Sequence, residues 1–165
     1  MQHQLNPLLS QQFVHLIDEN MKAVQQLQKL LEKEQFFLRK NEPSTLQRLL
    51  EEKAHALVVT QETEKKLERF LHQFQCPFSP EGVTQLIQTA PPSHRTLLNS
   101  QWLQLLNGLA TCKRLNQING KVLSRIQVGL THVLSTLKGQ DPTQQIYHAS
   151  GITQTRSTAR LIAQA

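Results

Sequence analysis

The chain has 165 residues, of which 38% are hydrophobic and only 5% aromatic, and its formal net charge is +6. This length suits one domain with or without a tail, and the scarcity of aromatic residues favours narrow helical packing over a wide globular core. We find neither a run of about 18 apolar residues nor a signal-peptide pattern, so we expect a soluble, intracellular protein without membrane insertion.

The charge is distributed unevenly along the chain. Residues 1–75 carry ten basic and ten acidic residues, whereas residues 76–165 carry eight basic and two acidic ones. A basic half is one feature of nucleic-acid-binding proteins. Here the basic residues are widely spaced and lack interleaved aromatic residues on which bases could stack, so a solvated basic face is the better interpretation.

A first helix is predicted over residues 7–40. Asn6 followed by Pro7 is a typical N-cap and first helical position. Apolar residues then recur at helical spacing and form one stripe, which the polar Asn20 and Glu34 interrupt. The stripe consists of Phe13, Leu16, Ile17, Val24, Leu27, Leu30, Leu31, Phe37 and Leu38.

A second helix is predicted over about residues 45–75. Pro43 in NEPST cannot continue the first helix, and Ser44 with Gln47 has the spacing of a capping box. The predicted seam consists of Leu46, Leu50, Leu57, Leu67, Leu71 and Phe74, with Lys53, Thr60 and Glu64 between them. Since the connection is short, the two helices should be antiparallel neighbours. Lys53 then either pairs with Glu34 at the edge of the seam or extends into solvent.

The proline-rich segment that follows is predicted to contain one short helix, over residues 80–89. Ser79 is its predicted cap, and Val83, Leu86 and Ile87 form its apolar side. Such a segment either folds over the end of the hairpin or forms a mobile loop.

A long third helix is predicted over residues 93–138, with Ser93 as its cap. It contains Asn119-Gly120, a pair that normally marks a turn. Steps of four and three from Leu98 meet apolar residues in the same phase before and after this pair, so we expect the helix to continue through it. The series is Leu98, Trp102, Leu105, Leu109, Cys112, Asn116, Asn119, Leu123, Ile126, Leu130, Val133 and Leu137.

This phase places Asn116 and Asn119 on the seam as a structural polar layer, with Gly120 beside them. A buried Asn must pair its amide, and in coiled coils it fixes the register of neighbouring helices. Gly120 would allow a neighbouring backbone to approach closely. The alternative is that the Asn side chains turn outward from a wide helix.

The complete pattern predicts an all-α protein: an antiparallel helical hairpin plus a long third helix in a coiled-coil-like bundle. Residues 1–138 would form the helical domain, and residues 139–165 have the composition of a flexible tail. Cys76 and Cys112 are read as reduced thiols, and the seven His are scattered. Because we find no metal-ligand spacing, phosphate-binding loop or nucleophile motif, we predict no metal, no cofactor and no enzymatic activity.

Two segments resemble the flagellar FlgN-type chaperones. EQFFLRKNEPSTLQRLLEEKAHALV is similar to the first helical hairpin of that family, and LNQINGKVLSRIQVGLTHVLSTLKGQDPTQQIYHASGIT is similar to its second half. The more specific feature is L-N-x-x-N-G followed about thirty residues later by Y-x-x-x-G-x-T. The resemblance extends from about Leu27 to Thr153, and His148 stands where the family usually has Gly.

The resemblance implies an export chaperone of the bacterial cytoplasm that binds hook–filament junction proteins, keeps their terminal helices from assembling early and delivers them to the flagellar type III export gate. The expected client-binding residues are Leu123, Ile126, Leu130, Val133 and Leu137. Tyr147 matches the family's tail tyrosine, which implies a role in docking to the gate. We expect a monomer or weak dimer. The alternatives are a coiled-coil structural or adaptor protein and, less favoured, a basic nucleic-acid-binding protein.

Overall fold

The computed structural model describes residues 5–40 and 42–137. In this part of the chain the helices are α1 (Pro7–Lys40), α2 (Pro43–Gln73), α3 (Pro80–Gln88) and α4 (Pro92–Leu137). The all-α class is therefore confirmed, and α4 passes through Asn119-Gly120 as one continuous helix. No helix among these residues is long and apolar enough to cross a membrane. The expected tail, residues 139–165, lies outside the described residues, so the domain division stays a prediction.

Two of the predicted helix starts are confirmed by their capping hydrogen bonds. The Asn6 side chain accepts a hydrogen bond from the backbone N–H of Leu9 at 2.8 Å. The Ser79 hydroxyl accepts one from the backbone N–H of Gly82 at 3.1 Å. Each bond satisfies a donor that the first turn of a helix leaves without an intrahelical partner.

The other two predicted starts are wrong by one or two residues. Helix α2 begins at Pro43, with Glu42 as its N-cap and no side-chain capping bond, so Ser44 lies inside the helix instead of starting a capping box. Helix α4 begins at Pro92, and Ser93 lies in its first turn. In both cases a proline occupies the start because its fixed φ suits the first helical position and its missing N–H would have no partner there.

Helix α1 is the central element of the bundle, and both long helices pack against it. Helix α2 is antiparallel to α1, because Glu19 pairs with Lys66 while Glu34, later in α1, pairs with the earlier Lys53. Helix α4 is parallel to α1. Its Cys112 thiol donates to the carbonyl of Val24 at 3.6 Å, and Asn119 Nδ2 donates to the carbonyl of Leu31 at 2.9 Å, both across 88 residues of sequence.

The apolar core lies along both sides of α1, which explains why its stripe is wide. The predicted stripe is confirmed in its main members, since Phe13 and Ile17 are completely buried and Leu31 nearly so. Helix α3 closes the end of the bundle near the start of α4, with Val83 and Ile87 fully buried. The Thr89 hydroxyl after α3 accepts a hydrogen bond from the backbone N–H of Leu5 at 3.4 Å. Of the two alternatives for this segment, the structure shows the one that folds over the helical hairpin.

The predicted seam of α2 is wrong at Leu50 and Leu57, whereas its member Thr60 is confirmed as buried. Leu50 and Leu57 are 51% and 36% exposed, and the residues that turn towards α1 are Leu49, Ala56, Thr60 and Thr63. Both threonine hydroxyls donate to carbonyls of their own helix, at 2.8 and 2.9 Å, and can therefore be buried without a partner on another helix. The small inward side chains of Ala56, Thr60 and Thr63 favour close packing of α1 against α2.

Candidate partner-binding surface on α4

Helix α4 has a covered part and an uncovered part. The inward residues from Leu98 to Asn119 are buried against the rest of the bundle, and Leu98 and Asn119 are 0% and 3% exposed. Beyond Asn119 the same side of the helix is open, and its apolar residues are between 38% and 78% exposed. We call residues 120–137 the free segment of α4.

The second half of the free segment, residues 129–137, is open because α1 is too short to cover it. Given the separation of 88 residues between contacting positions, Lys40 at the end of α1 lies about level with Val128. The residues from 129 to 137 therefore extend roughly 14 Å past the end of α1, at 1.5 Å per residue. From Pro43 onward α2 runs back along α1, so α2 does not lengthen the bundle in that direction.

Five of the exposed apolar residues of the free segment form one line, whereas Leu134 lies beside it and Val128 lies on the opposite side of the helix. At about 100° per residue, Leu123, Ile126, Leu130, Val133 and Leu137 all lie within roughly 40° of the direction of Asn119. We call these five residues the apolar edge; they are the client-binding residues predicted from the sequence. Beside them lie the uncharged Val122, Gln127 and Gly129. This arrangement can accept a second amphipathic helix in the position that α1 takes along the covered part.

A polar cluster lies where the covered part of α4 ends, and it consists of Glu34, Lys53, Asn116 and Asn119. Lys53 Nζ donates to both carboxylate oxygens of Glu34, at 3.1 and 3.0 Å, and to Asn116 Oδ1 at 3.0 Å. Asn119 Nδ2 donates to Glu34 Oε2 at 2.8 Å. The cluster thus joins α1, α2 and α4 through one carboxylate. Of the two alternatives for Lys53, the structure shows the ion pair.

The cluster supports one alignment of the three helices. If α4 slipped along α1 by one turn, Asn119 would lose both of its acceptors, and a buried amide without partners is costly. Asn119 points inward, whereas Asn116 lies exposed at the rim and Leu115 takes the buried position next to it. Of the two Asn residues predicted on the seam, Asn119 is buried there and Asn116 lies exposed at its edge.

The expectation for Gly120 is wrong. It is exposed, and a Cβ placed on it would meet no atom within 4 Å, because the neighbouring Asn119 faces α1 and Gly120 is turned away. The glycine at the close contact between α1 and α4 is Gly108, where an added Cβ would lie 3.0 Å from Val24 Cγ1.

A family model described as FlgN protein matches residues 1–155. The chain belongs to the FlgN family. Among solved structures it is similar to the 1.48 Å crystal structure of a flagella synthesis protein FlgN from Pseudomonas aeruginosa, with a TM-score of 0.60 and 21% identity over 70% of this chain and 88% of that one. No curated protein matches the sequence. Family membership connects this chain with flagellum biogenesis, and the solved structure supports the fold.

This FlgN-family protein also has features that the sequence pattern did not predict. A groove of about 460 Å³ lies between α1 and α2, lined mostly by apolar atoms of Ala23, Leu30, Ala56 and Val59. The sequence pattern did not predict this groove, because it placed Leu57 on the seam of α2, whereas the structure buries the smaller Ala56 there. Among residues 5–40 and 42–137, no group of three His, Cys, Asp or Glu side chains is arranged to hold a metal ion.

The two cysteines of this FlgN-family protein are free thiols with different surroundings. Cys112 is buried between α4 and α1, and burial, with a smaller contribution from the Glu32 carboxylate, raises the pKa of its thiol to about 11. Cys76, after α2, is partly exposed, and burial raises its thiol pKa as well. Neither thiol is activated as a nucleophile, since activation requires a lowered pKa. Tyr147, the predicted docking residue, lies outside the described residues.

Proposed function

We propose that this protein is a flagellar export chaperone. It binds hook–filament junction proteins in the bacterial cytoplasm, prevents their terminal helices from assembling early and delivers them to the type III export gate. Family membership supports the flagellar setting. The single observation that carries the proposal is the apolar edge, an exposed continuation of the line along which α4 packs against α1.

The binding mode follows from this continuity. In the covered part, α1 presents apolar side chains to α4 at helical spacing. A client helix with anchors at positions i, i+3, i+4 and i+7 would meet the apolar edge in the same way. Because the residues beside the edge are uncharged, the register of apolar side chains selects the client. Complex formation should therefore depend little on salt.

The test replaces two central residues of the apolar edge. Burying a Leu or Val side chain contributes about 1.5–3 kcal/mol, so Leu130→Asp with Val133→Asp should weaken binding of a junction protein's C-terminal fragment at least about 100-fold. Isothermal titration or co-purification measures the loss, and circular dichroism checks that helicity is kept. Both residues are already more than half exposed, so the fold should tolerate the change.

The matched control is Val128→Asp. Val128 is 67% exposed on the same segment but faces away from the apolar edge, by about 180° from Asn119. It should leave client binding within about twofold of the original, since no anchor is lost. Equal loss in the control and in the double variant, or retained binding in the double variant, would contradict the assignment of the apolar edge.

The docking role of Tyr147 is a second part of the proposal and rests on the family resemblance. Tyr147→Ala should lower export of junction proteins into the culture supernatant while client binding in solution stays unchanged. Tyr147→Phe, which keeps the ring, separates a requirement for ring packing from one for the hydroxyl. Export at the normal rate by Tyr147→Ala would remove the docking role.

The structural or adaptor alternative is also supported by the exposed apolar edge, because a self-assembling coiled coil would show the same surface in a single copy. The two functions differ in what covers the edge. A chaperone should sediment as a monomer or weak dimer and form a stable complex with its client. A stable oligomer that Leu130→Asp dissociates, without any client complex, would favour the structural function.

A further inference from the structure

Leu50, Ala54 and Leu57 form an apolar strip on the exposed surface of α2. Leu50 and Leu57 are 51% and 36% exposed, and Ala54 is exposed as well. Much of the remaining surface of this helix is charged, as the stretches EEK and ETEKKLER show. We call these three residues the α2 strip. Its two leucines are the predicted seam residues that α1 does not cover.

The α2 strip lies on the side of α2 that faces α4. Lys53 marks that side, because its Nζ donates to Asn116 Oδ1 of α4 at 3.0 Å. At about 100° per residue, Leu57 and Leu50 lie roughly 40° and 60° further around the helix from Lys53, in the direction away from α1. Since α2 and α4 both pack on α1, the strip forms one wall of a groove between these two helices.

The other wall of the groove is the beginning of the free segment of α4. Gly120 and Leu123 are exposed there and lie within about 40° of Asn116 around the helix axis. A Cβ placed on Gly120 would meet no atom within 4 Å. The contacts of Lys53 with α1 and α4 place Ala54 about level with Gly120. Both walls therefore have a small residue at this level, which leaves room for a large apolar side chain of a partner.

Helix α1 limits where a client helix can lie on the apolar edge. Only residues 129–137 extend past the end of α1, which corresponds to about 14 Å of helix. Nearer the covered part, α1 itself occupies the position opposite α4. A client helix longer than this free end must therefore pass beside α1, on one of its two sides.

The two sides of α1 differ in polarity. On the side away from α2, α1 presents Gln28 and Glu32 next to α4, and Gln28 Nε2 donates to the Glu32 carboxylate at 2.8 Å. On the side of α2, the groove presents the α2 strip, Gly120 and Leu123, which are all uncharged. The apolar edge therefore continues into the groove between α2 and α4.

We infer that α2 supplies a second wall of the client site, so that the client helix lies in the groove between α2 and α4. The inference rests on the proposed function and specifies the kind of helix that fits. Such a helix needs a wide apolar side, since it meets the α2 strip and the apolar edge at once, and a large apolar side chain above Gly120 and Ala54. Its contact would extend from about Leu137 to Leu57, which is roughly 30 Å. With the client, the bundle would have four long helices at this level.

The test measures binding of a junction protein's C-terminal fragment to the full chain by isothermal titration. Leu50→Asp with Leu57→Asp should weaken binding at least about tenfold, because the exposed parts of both leucines can no longer be buried by the client. The matched control is Val58→Asp with Val59→Asp, whose side chains are 53% and 36% exposed on the same helix but do not face α4. It should change binding by less than about threefold.

Gly120→Glu tests the other wall without removing an apolar side chain. Glu has a higher helix propensity than Gly, so the free energy of unfolding should not fall. The carboxylate would be buried in the groove by the client, so binding of the fragment should weaken at least about tenfold. Gly129→Glu is the control, because Gly129 is equally open and lies about 180° around the helix axis from Gly120. It should keep binding within about threefold.

Several results would overturn the inference. Unchanged binding by either the α2 double variant or Gly120→Glu, while Leu130→Asp with Val133→Asp loses the fragment, would remove the second wall and leave the proposed function intact. Equal loss in a variant and its control would also remove it. Tighter binding by the α2 double variant would identify residues 138–165 of the same chain as the occupant of the groove, because their release would free the client site. Self-association that this variant abolishes, with fragment binding unchanged, would identify a second copy as the occupant. If the original protein does not bind the fragment, the proposed function fails and the inference fails with it.

Discussion

The ion pair between Glu34 and Lys53 gives the most quantitative prediction. Its side chains are 10% and 17% exposed, and the Glu34 carboxylate also accepts from Asn119. Removing one partner of a buried pair costs about 3–5 kcal/mol, because the other charge is left without compensation. Lys53 keeps some solvent contact and the Asn116 acceptor, so Glu34→Leu should lower the free energy of unfolding by about 3 kcal/mol, at the low end of that range.

The double-mutant cycle isolates the pair itself. Lys53→Met should cost about 2 kcal/mol, and the double variant should cost clearly less than the sum, because no unpaired charge remains. The expected coupling energy is about 2 kcal/mol. Urea unfolding followed by circular dichroism measures it, and the single variant Glu34→Leu should lower Tm by roughly 6–12 °C for a chain of this size.

The chain contains its own control for this cycle. Glu19 and Lys66 also join α1 to α2 at 3.1 Å, but their side chains are 30% and 47% exposed. A pair so open to solvent should show a coupling of only about 0–1 kcal/mol. If both cycles gave the same small value, burial of the polar cluster would not stabilise the alignment of the helices, and the reasoning would be refuted.

Three further predictions concern single sites. Gly82→Ala should destabilise the fold by several kcal/mol, since the added Cβ would lie 2.5 Å from the backbone oxygen of Pro77. Gly120→Ala should stabilise the fold by about 0.5–1 kcal/mol, because the added Cβ would meet no atom within 4 Å. Urea unfolding measures both variants, and equal effects would contradict the packing at α3. Asn6→Ala should cost about 1 kcal/mol by loss of the helix cap, and an unchanged unfolding midpoint would show that the cap contributes nothing. In native protein a thiol reagent should modify the partly exposed Cys76 before the buried Cys112, and fast labelling of Cys112 at neutral pH would contradict its burial. Folding raises the pKa of the Cys112 thiol from 9.0 to about 11, so the contribution of this thiol to stability is full below pH 9 and declines between pH 9 and 11. A free energy of unfolding that rises over this pH range would contradict the same burial.

Local periodicity was sufficient to predict the helices and the route of α4. The phase of Leu109 and Leu123 carried the correct conclusion that Asn119-Gly120 is helical, because two heptads of matching apolar positions outweigh one turn-forming pair. The short connection also predicted the antiparallel hairpin and brought Lys53 within reach of Glu34. These are properties of neighbouring segments, and the sequence contains them.

Properties that depend on distant segments were not predictable in the same way. On α2 the pattern favoured Leu50 and Leu57 because they are the most apolar residues, but packing selected Ala56 and Thr63, which are smaller and lie on the side that meets α1. The parallel direction of α4 relative to α1 depends on the path through α3, which periodicity does not describe. For the same reason the boundary between covered and free parts of α4 required the register of Asn119 against Leu31.

The part of the free segment that extends past α1, residues 129–137, has a consequence for its dynamics. Its apolar edge has no neighbouring helix among the described residues, a short unsupported helix is only marginally stable in water, and Gly129 within it lowers its helix propensity further. Its amide hydrogens should therefore exchange with solvent much faster than those of the first half of α4, which open only with the bundle. Whatever covers the segment will slow that exchange, so occupancy can be followed from the protein's own amides, without a label on the partner.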